Sequence, residues 1–117
     1  MTGARSRNKG ARGELAVLKQ FTAAGWDGTR GFASGGQGGA DLAGDMPDAV
    51  EVKNAERITL WPWVQQASEA AKRKIDWCLW IKSNNRPWVV VLNSERYLEL
   101  IAVERDQNAR QLRRGQL

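Results

Sequence analysis

Ala49-Val50-Glu51-Val52-Lys53 is the stretch on which the reading of this chain turns. Its composition is that of a strand, and side chains alternate along a strand. Val50 and Val52 therefore face one side and enter a core, while Glu51 and Lys53 project together from the other. Just upstream, Asp45-Met46-Pro47-Asp48 is a turn signal, and Ala40 to Gly44 is a second short β-like segment. The two segments make a candidate hairpin that carries Asp41 toward Glu51 and Lys53. Opposite residues of a hairpin share a face, so this requires Asp41 to pair with Glu51 or Lys53 and not with Val52. An odd-numbered loop or a bulge near Asp45 to Asp48 is thus expected.

Outward from the hairpin, the pattern reads as alternating helices and strands. Leu15, Leu18, Phe21 and Thr22 recur at helical spacing over about residues 9–25, with Gly25 as a C-terminal stop. Trp26 to Phe32 is a first strand. Ser34-Gly35-Gly36-Gln37-Gly38-Gly39 is too rich in glycine for regular structure and is expected to be a mobile loop that orders on phosphate or substrate. Pro62 suits the first turn of a helix running to about Lys74. Trp77 to Lys82 and Trp88 to Asn93 read as buried central strands, and Ser94 as the N-cap of a last helix through about Arg105. The order α-β-β-β-α-β-β-α predicts an α/β domain with a mixed sheet, one domain over residues 1–117. Residues 1–8 read as a flexible basic arm and 106–117 as a basic tail.

Composition narrows the chemistry. The chain has 117 residues, no histidine, one cysteine and a formal charge of +5. Without histidine, and with Cys78 alone, there is no Ser-His-Asp or Cys-His nucleophile, no zinc finger and no zinc-dependent deaminase. No P-loop motif is present. One cysteine permits no intrachain disulfide, which points to a reducing, cytoplasmic compartment. No apolar run approaches the roughly 20 residues of a membrane span. An enzyme built from this inventory works with carboxylates, lysine, hydroxyls and a metal with oxygen ligands: Mg²⁺, Mn²⁺ or Ca²⁺. The positive charge favours a polyanionic partner.

Two neighbouring carboxylates repel unless a cation joins them. Mg²⁺ does so at about 2.0–2.1 Å while keeping several waters, one of which can attack a phosphodiester, and a nearby lysine stabilises the added charge. Asp41, Glu51 and Lys53 are the minimal set for that reaction. The plainer reading is a surface hairpin with a cross-strand Glu–Lys pair. Glu14 shares the inward face of the first helix with Leu18 and Phe21, where a carboxylate is costly unless paired or used. It either meets an arginine at the edge of the core or reaches the same metal.

Lys9-Gly10-Ala11-Arg12-Gly13-Glu14-Leu15, the Ser34 loop, Gly39-Ala40-Asp41-Leu42 and Glu51-Val52-Lys53 occur in that order, and together resemble the PD-(D/E)XK nuclease superfamily. More narrowly they are similar to archaeal-type Holliday-junction resolvases and phage-encoded relatives, over about residues 7–92. The resemblance implies a restriction-endonuclease-like core, a mixed five-stranded sheet flanked by helices, and a Mg²⁺-dependent endodeoxyribonuclease (Mn²⁺ substituting) that acts on four-way junctions or other branched DNA in recombination and repair. For a phage-encoded protein the compartment is the host cytoplasm. By position, Glu14 corresponds to the first-helix acid, Asp41 to the motif aspartate with Ala40 where proline usually stands, and Glu51 and Lys53 to the E-x-K. The Val52 carbonyl would complete the metal ligands with Glu14, Asp41 and Glu51. Ser34 is the candidate loop serine that assists cleavage, and Gln66, preferred to Gln65, the glutamine of the next helix. The interval from Asp41 to Glu51 is short for that family.

Arg5, Arg7, Lys9, Arg12, Ser34, Lys72 and Arg73 are the candidate DNA contacts; the Lys72-Arg73-Lys74 run and Arg105, Arg110, Arg113 and Arg114 read equally as solvated faces or as phosphate contacts. The six tryptophans fit a core or a subunit interface better than base stacking. Two nicks on a junction call for two sites, hence a homodimer. Trp61, Trp63, Trp77, Trp80, Trp88, Tyr97, Leu98 and Ile101 exceed what a small core encloses, placing the interface on the last two strands and the final helix. The alternatives are another PD-(D/E)XK nuclease, restriction-like or nicking, and a catalytically silent DNA-binding module.

Overall fold

The structure, a computed structural model, describes residues 2–31, 40–71 and 76–115, with side chains from Arg7 onward. Eight elements follow in the expected order: α1 (Thr2–Ala23), β1 (Gly28–Arg30), β2 (Leu42–Gly44), β3 (Ala49–Asn54), α2 (Leu60–Ala70), β4 (Trp77–Lys82), β5 (Val89–Leu92) and α3 (Ser94–Gly115). The strands form one mixed sheet in the order β1-β2-β3-β4-β5. β3 and β4 are parallel, joined by α2 as the crossover; the other neighbours are antiparallel.

Alternation in β3 separates two cores. Val50 and Val52 pack with Val17 of α1, Leu42, Met46 and Cys78, and with Leu18, Phe21 and Trp80 at the margin. Phe21 and Trp80 meet at 5.1 Å between ring centroids. On the other face, Ala49, Leu79 and Ile81 pack under Ala67, Ala71, Trp63 and Val64 of α2. The result is a sheet between two helical layers, with Glu51 and Lys53 on the α2 side.

The elements depart from expectation at their edges. α1 begins at Thr2, so the first residues are helical instead of a flexible arm. Its buried anchor is Val17, fully shielded, whereas Leu15 is 53% exposed. The helix stops as expected: Gly25 (φ +96°) follows, the Trp26 N–H donates to the Phe21 carbonyl and the Gly25 N–H to that of Thr22, a left-handed cap that glycine favours. β5 is an edge strand, not a central one, and leaves Val89 and Val90 exposed. The N-cap of α3 is Asn93, whose Oδ1 accepts from the Arg96 N–H at 3.0 Å; Ser94 is the first helical residue. α3 continues through the residues expected to form the tail, and none of its residues is buried.

A single side chain fixes where α3 leaves the domain. The Arg96 guanidinium meets Asp48 at 2.9 Å, Asp76 at 3.6 Å and Glu99 at 3.2 Å. Asp48 is buried, and its turn-forming neighbour Met46 lies in the core. Replacing Arg96 by leucine strands the Asp48 charge, which should cost about 3 kcal/mol. Urea unfolding of Arg96→Leu should show it, and Asp48→Asn in the same background should restore part of the loss.

Candidate active site

Asp41, Glu51 and Lys53 come together because of hairpin register. Leu42 pairs with Val50, residues equidistant from Met46, so the connection has the odd-numbered centre the side-chain geometry demands. The Asp41 N–H donates to the Val50 carbonyl at 2.9 Å, and Asp41 Oδ2 accepts from the Val52 N–H at 2.8 Å. The Gly31 N–H holds the Asp41 carbonyl at 2.7 Å. Asp41 is thus pinned from both neighbouring strands, with its carboxylate turned to Glu51.

Glu51 is 2% exposed, and its Oε2 is buried without a hydrogen-bond partner. Burial first, then the charge of Asp41 and a hydrogen bond to it, push the Glu51 carboxyl up to about 8; Lys53 pulls it back and Glu14 adds to the rise. A buried acid with an orphaned oxygen against a second acid is costly by itself, and a cation relieves it. The donor set is all oxygen, as Mg²⁺ or Mn²⁺ prefers, and two carboxylates suffice when substrate phosphate and water complete the shell.

Glu14 belongs to the same electrostatic field but is held elsewhere. Its Oε2 meets Arg30 Nε at 3.0 Å, the edge arginine that an inward-facing carboxylate calls for. Among the described residues, no three acids are gathered around one point that suits an ion. Arg30 carries no motif signal; only its place on β1, beside Asp41, assigns it this partner.

α1 packs closely on the end of β3 at Gly13. A Cβ there would stand 2.8 Å from Asn54 Cβ and 3.4 Å from the Trp88 ring. Gly13→Val should force α1 from the sheet, at a cost of about 1–3 kcal/mol in urea unfolding, and cleavage should fall along with stability.

The remaining expected site residues are scattered. Gln66 is exposed on α2. Gln65 is engaged with Glu69 at 3.2 Å. Arg7 and Arg12 are exposed, while Lys9 is half-buried and donates to Asn84 Oδ1 at 2.6 Å. Ser34 and its loop, Lys72, Arg73 and the side chain of Arg5 lie outside the described residues. Asn84, which also donates to Glu56 at 3.2 Å, is a tether that the sequence pattern does not reveal.

The fold is similar to that of "Hjc, a Holliday junction resolvase from an archaeal hyperthermophile", Archaeoglobus fulgidus: TM-score 0.54 and 23% sequence identity over 69% of this chain and 73% of that one. Neither a family model nor a curated protein sequence matches the chain. The likeness is one of fold, and it bears out the mixed five-stranded, restriction-endonuclease-like architecture expected from the motifs.

Proposed function

We propose that this protein is a divalent-metal-dependent endodeoxyribonuclease that hydrolyses phosphodiesters in branched DNA, in the manner of a Holliday junction resolvase. The observation that carries the reading is the Asp41–Glu51 pair, with Glu51 buried and one of its oxygens orphaned, beside Lys53. The fold shared with Hjc supports it.

Asp41 and Glu51 would hold a Mg²⁺ or Mn²⁺ ion with the Val52 carbonyl, and such an ion supplies an activated water and charge neutralisation at a phosphate. Lys53 stabilises the negative charge that grows on the phosphoryl oxygens. Glu14, restrained by Arg30, is the outer acid of the site and tunes Glu51. Ser34 assists from its loop. Arg5, Arg7, Lys9, Arg12, Lys72 and Arg73 carry the phosphate contacts, so affinity should fall steeply with salt.

Paired incision needs a second copy. α3 offers a surface for one: Tyr97, Leu98, Leu100, Ile101, Val103 and Leu112 are all exposed along it. Among the described residues, no helix is long and apolar enough to cross a membrane. Labelled four-way junction, plain duplex and single strands, each incubated with Mg²⁺ or EDTA, test the proposal directly. Cleavage of the junction, in Mg²⁺ alone and by a dimer in light scattering, is expected. A monomer that remains monomeric on junction DNA would favour a simple nickase.

A further inference from the structure

A cleft of about 240 Å³ opens beside the site, between residues 55–59 and the loop from β4 to β5. Ile58, Ile81, Pro87 and Val89 form its apolar floor; Lys82, whose side chain alternates to the other face of β4, lines it by its backbone, and Arg86 stands on the loop at its edge. Ile58 and Val89 are 46% and 49% exposed. Two large apolar side chains half-open to water in one concavity are what an apolar ligand group would cover.

Register fixes the relation of this cleft to the chemistry. Ile81 is the parallel partner of Lys53, as Leu79 is of Glu51. Leu79 and Ile81 pack on the α2 face with Ala49, the face from which Glu51 and Lys53 project. The cleft floor therefore begins one strand away from the lysine, about 4.8 Å. A nucleotide adjacent to a phosphate held at Asp41, Glu51 and Lys53 would therefore stand within reach of the cleft.

The walls are already set. The Ala55 N–H donates to the Lys82 carbonyl at 3.0 Å, and the Arg86 N–H to that of Ser83 at 3.1 Å. Asn84 links the loop to Glu56 and to Lys9 of α1. A preformed apolar slot with an arginine at its edge suits a molecule that is flat and apolar at one end and anionic at the other. A nucleotide has that chemistry.

Resting on the nuclease reading above, we infer that this cleft receives one unstacked base of the bound DNA strand, with a flanking phosphate on Arg86. Extruding a base from a duplex costs a few kcal/mol, and least where the base is already unpaired. Occupancy of the cleft therefore favours branched or distorted DNA over plain duplex. The cleft supplies structure selectivity without reading sequence.

The test uses four-way junctions and duplexes carrying 2-aminopurine, one position at a time, around the cut site. Fluorescence is read with the full-length protein in Ca²⁺, and cleavage and affinity are measured in parallel. Wild type should brighten one position several-fold on the junction and none on the duplex. The double variant Ile58→Ser, Val89→Ser, altered only at exposed side chains, should lose that signal. It should also lose about tenfold of the preference for junction over duplex, the worth of one stacked base. An abasic site at the bright position should weaken wild type to the level of the variant and leave the variant unchanged. Junction cleavage by wild type with no bright position, or an undiminished preference in the variant, would overturn the inference and leave the nuclease reading standing. A change of oligomeric mass in the variant would overturn it too, since the cleft would then be a subunit contact. Absence of any DNA binding and cleavage would overturn both.

Discussion

Asp41→Asn and Glu51→Gln should each lower junction cleavage by at least roughly a hundredfold, the loss typical of removing a charge-stabilising group from a site, while DNA binding in EDTA persists. Both changes are isosteric, so the backbone bonds around Asp41 have the same shape to fill. In Asp41→Asn the side-chain amide carbonyl would still accept the Val52 N–H, a bond made at 2.8 Å by Asp41 Oδ2. What is lost is the second negative charge. Lys53→Met should give a similar deficit with metal affinity kept, because in the proposed reaction Lys53 would act on the phosphate and not on the ion. Cleavage by Asp41→Asn at the wild-type rate would overturn the assignment of the site.

Stability of the metal-free protein should fall as pH rises from about 5 to 8, against the usual acid-labile pattern. An unfolded chain gives up the Glu51 proton near 4.5, and the folded chain holds it up to about 8. Between those values the folded state binds one more proton, so raising pH favours unfolding. Each pH unit in that window costs at most about 1.4 kcal/mol. Urea midpoints in EDTA at pH 5.5 and 8.5 measure it. Glu51→Gln should flatten the profile and make the metal-free protein more stable than wild type at pH 8.5, even as it abolishes cleavage. Mg²⁺ should stabilise wild type increasingly with pH, because it competes with the proton for the same pair. A wild-type midpoint that rises with pH in EDTA would show that Glu51 is ionised throughout.

The fold was legible where sequence period and burial agree. Val50 and Val52 against Glu51 and Lys53 declare a strand with two unlike faces, and the hairpin parity followed from that alternation alone. The exposure of β5 was not legible. Val89-Val90-Val91-Leu92 has the composition of a central strand, and its position at the edge depends on sheet order, which no local pattern encodes. The same holds for charge partners. That Glu14 must meet something followed from its face on the helix, but that it meets Arg30 required the return of the chain through β1. Asp48 shows a further limit: a turn residue by type, it is a buried ion-pair acceptor because α3 folds back over the turn with Arg96. Leu15 and Val17 differ by two positions and trade burial, since helical period places a stripe only to within about half a turn.

α3 behaves mechanically as a cantilever. Its 22 residues extend about 33 Å at 1.5 Å per residue from a mounting made by Asn93 and Arg96 in its first turn. A change of about 10° at that mounting displaces the far end by about 6 Å over that length. The aim of the whole element, and the spacing it would impose between two cleavage sites, is therefore set by a guanidinium and two aspartates at the opposite end. Substitutions at Asp48 or Asp76 should consequently change the geometry of incision more than its chemistry.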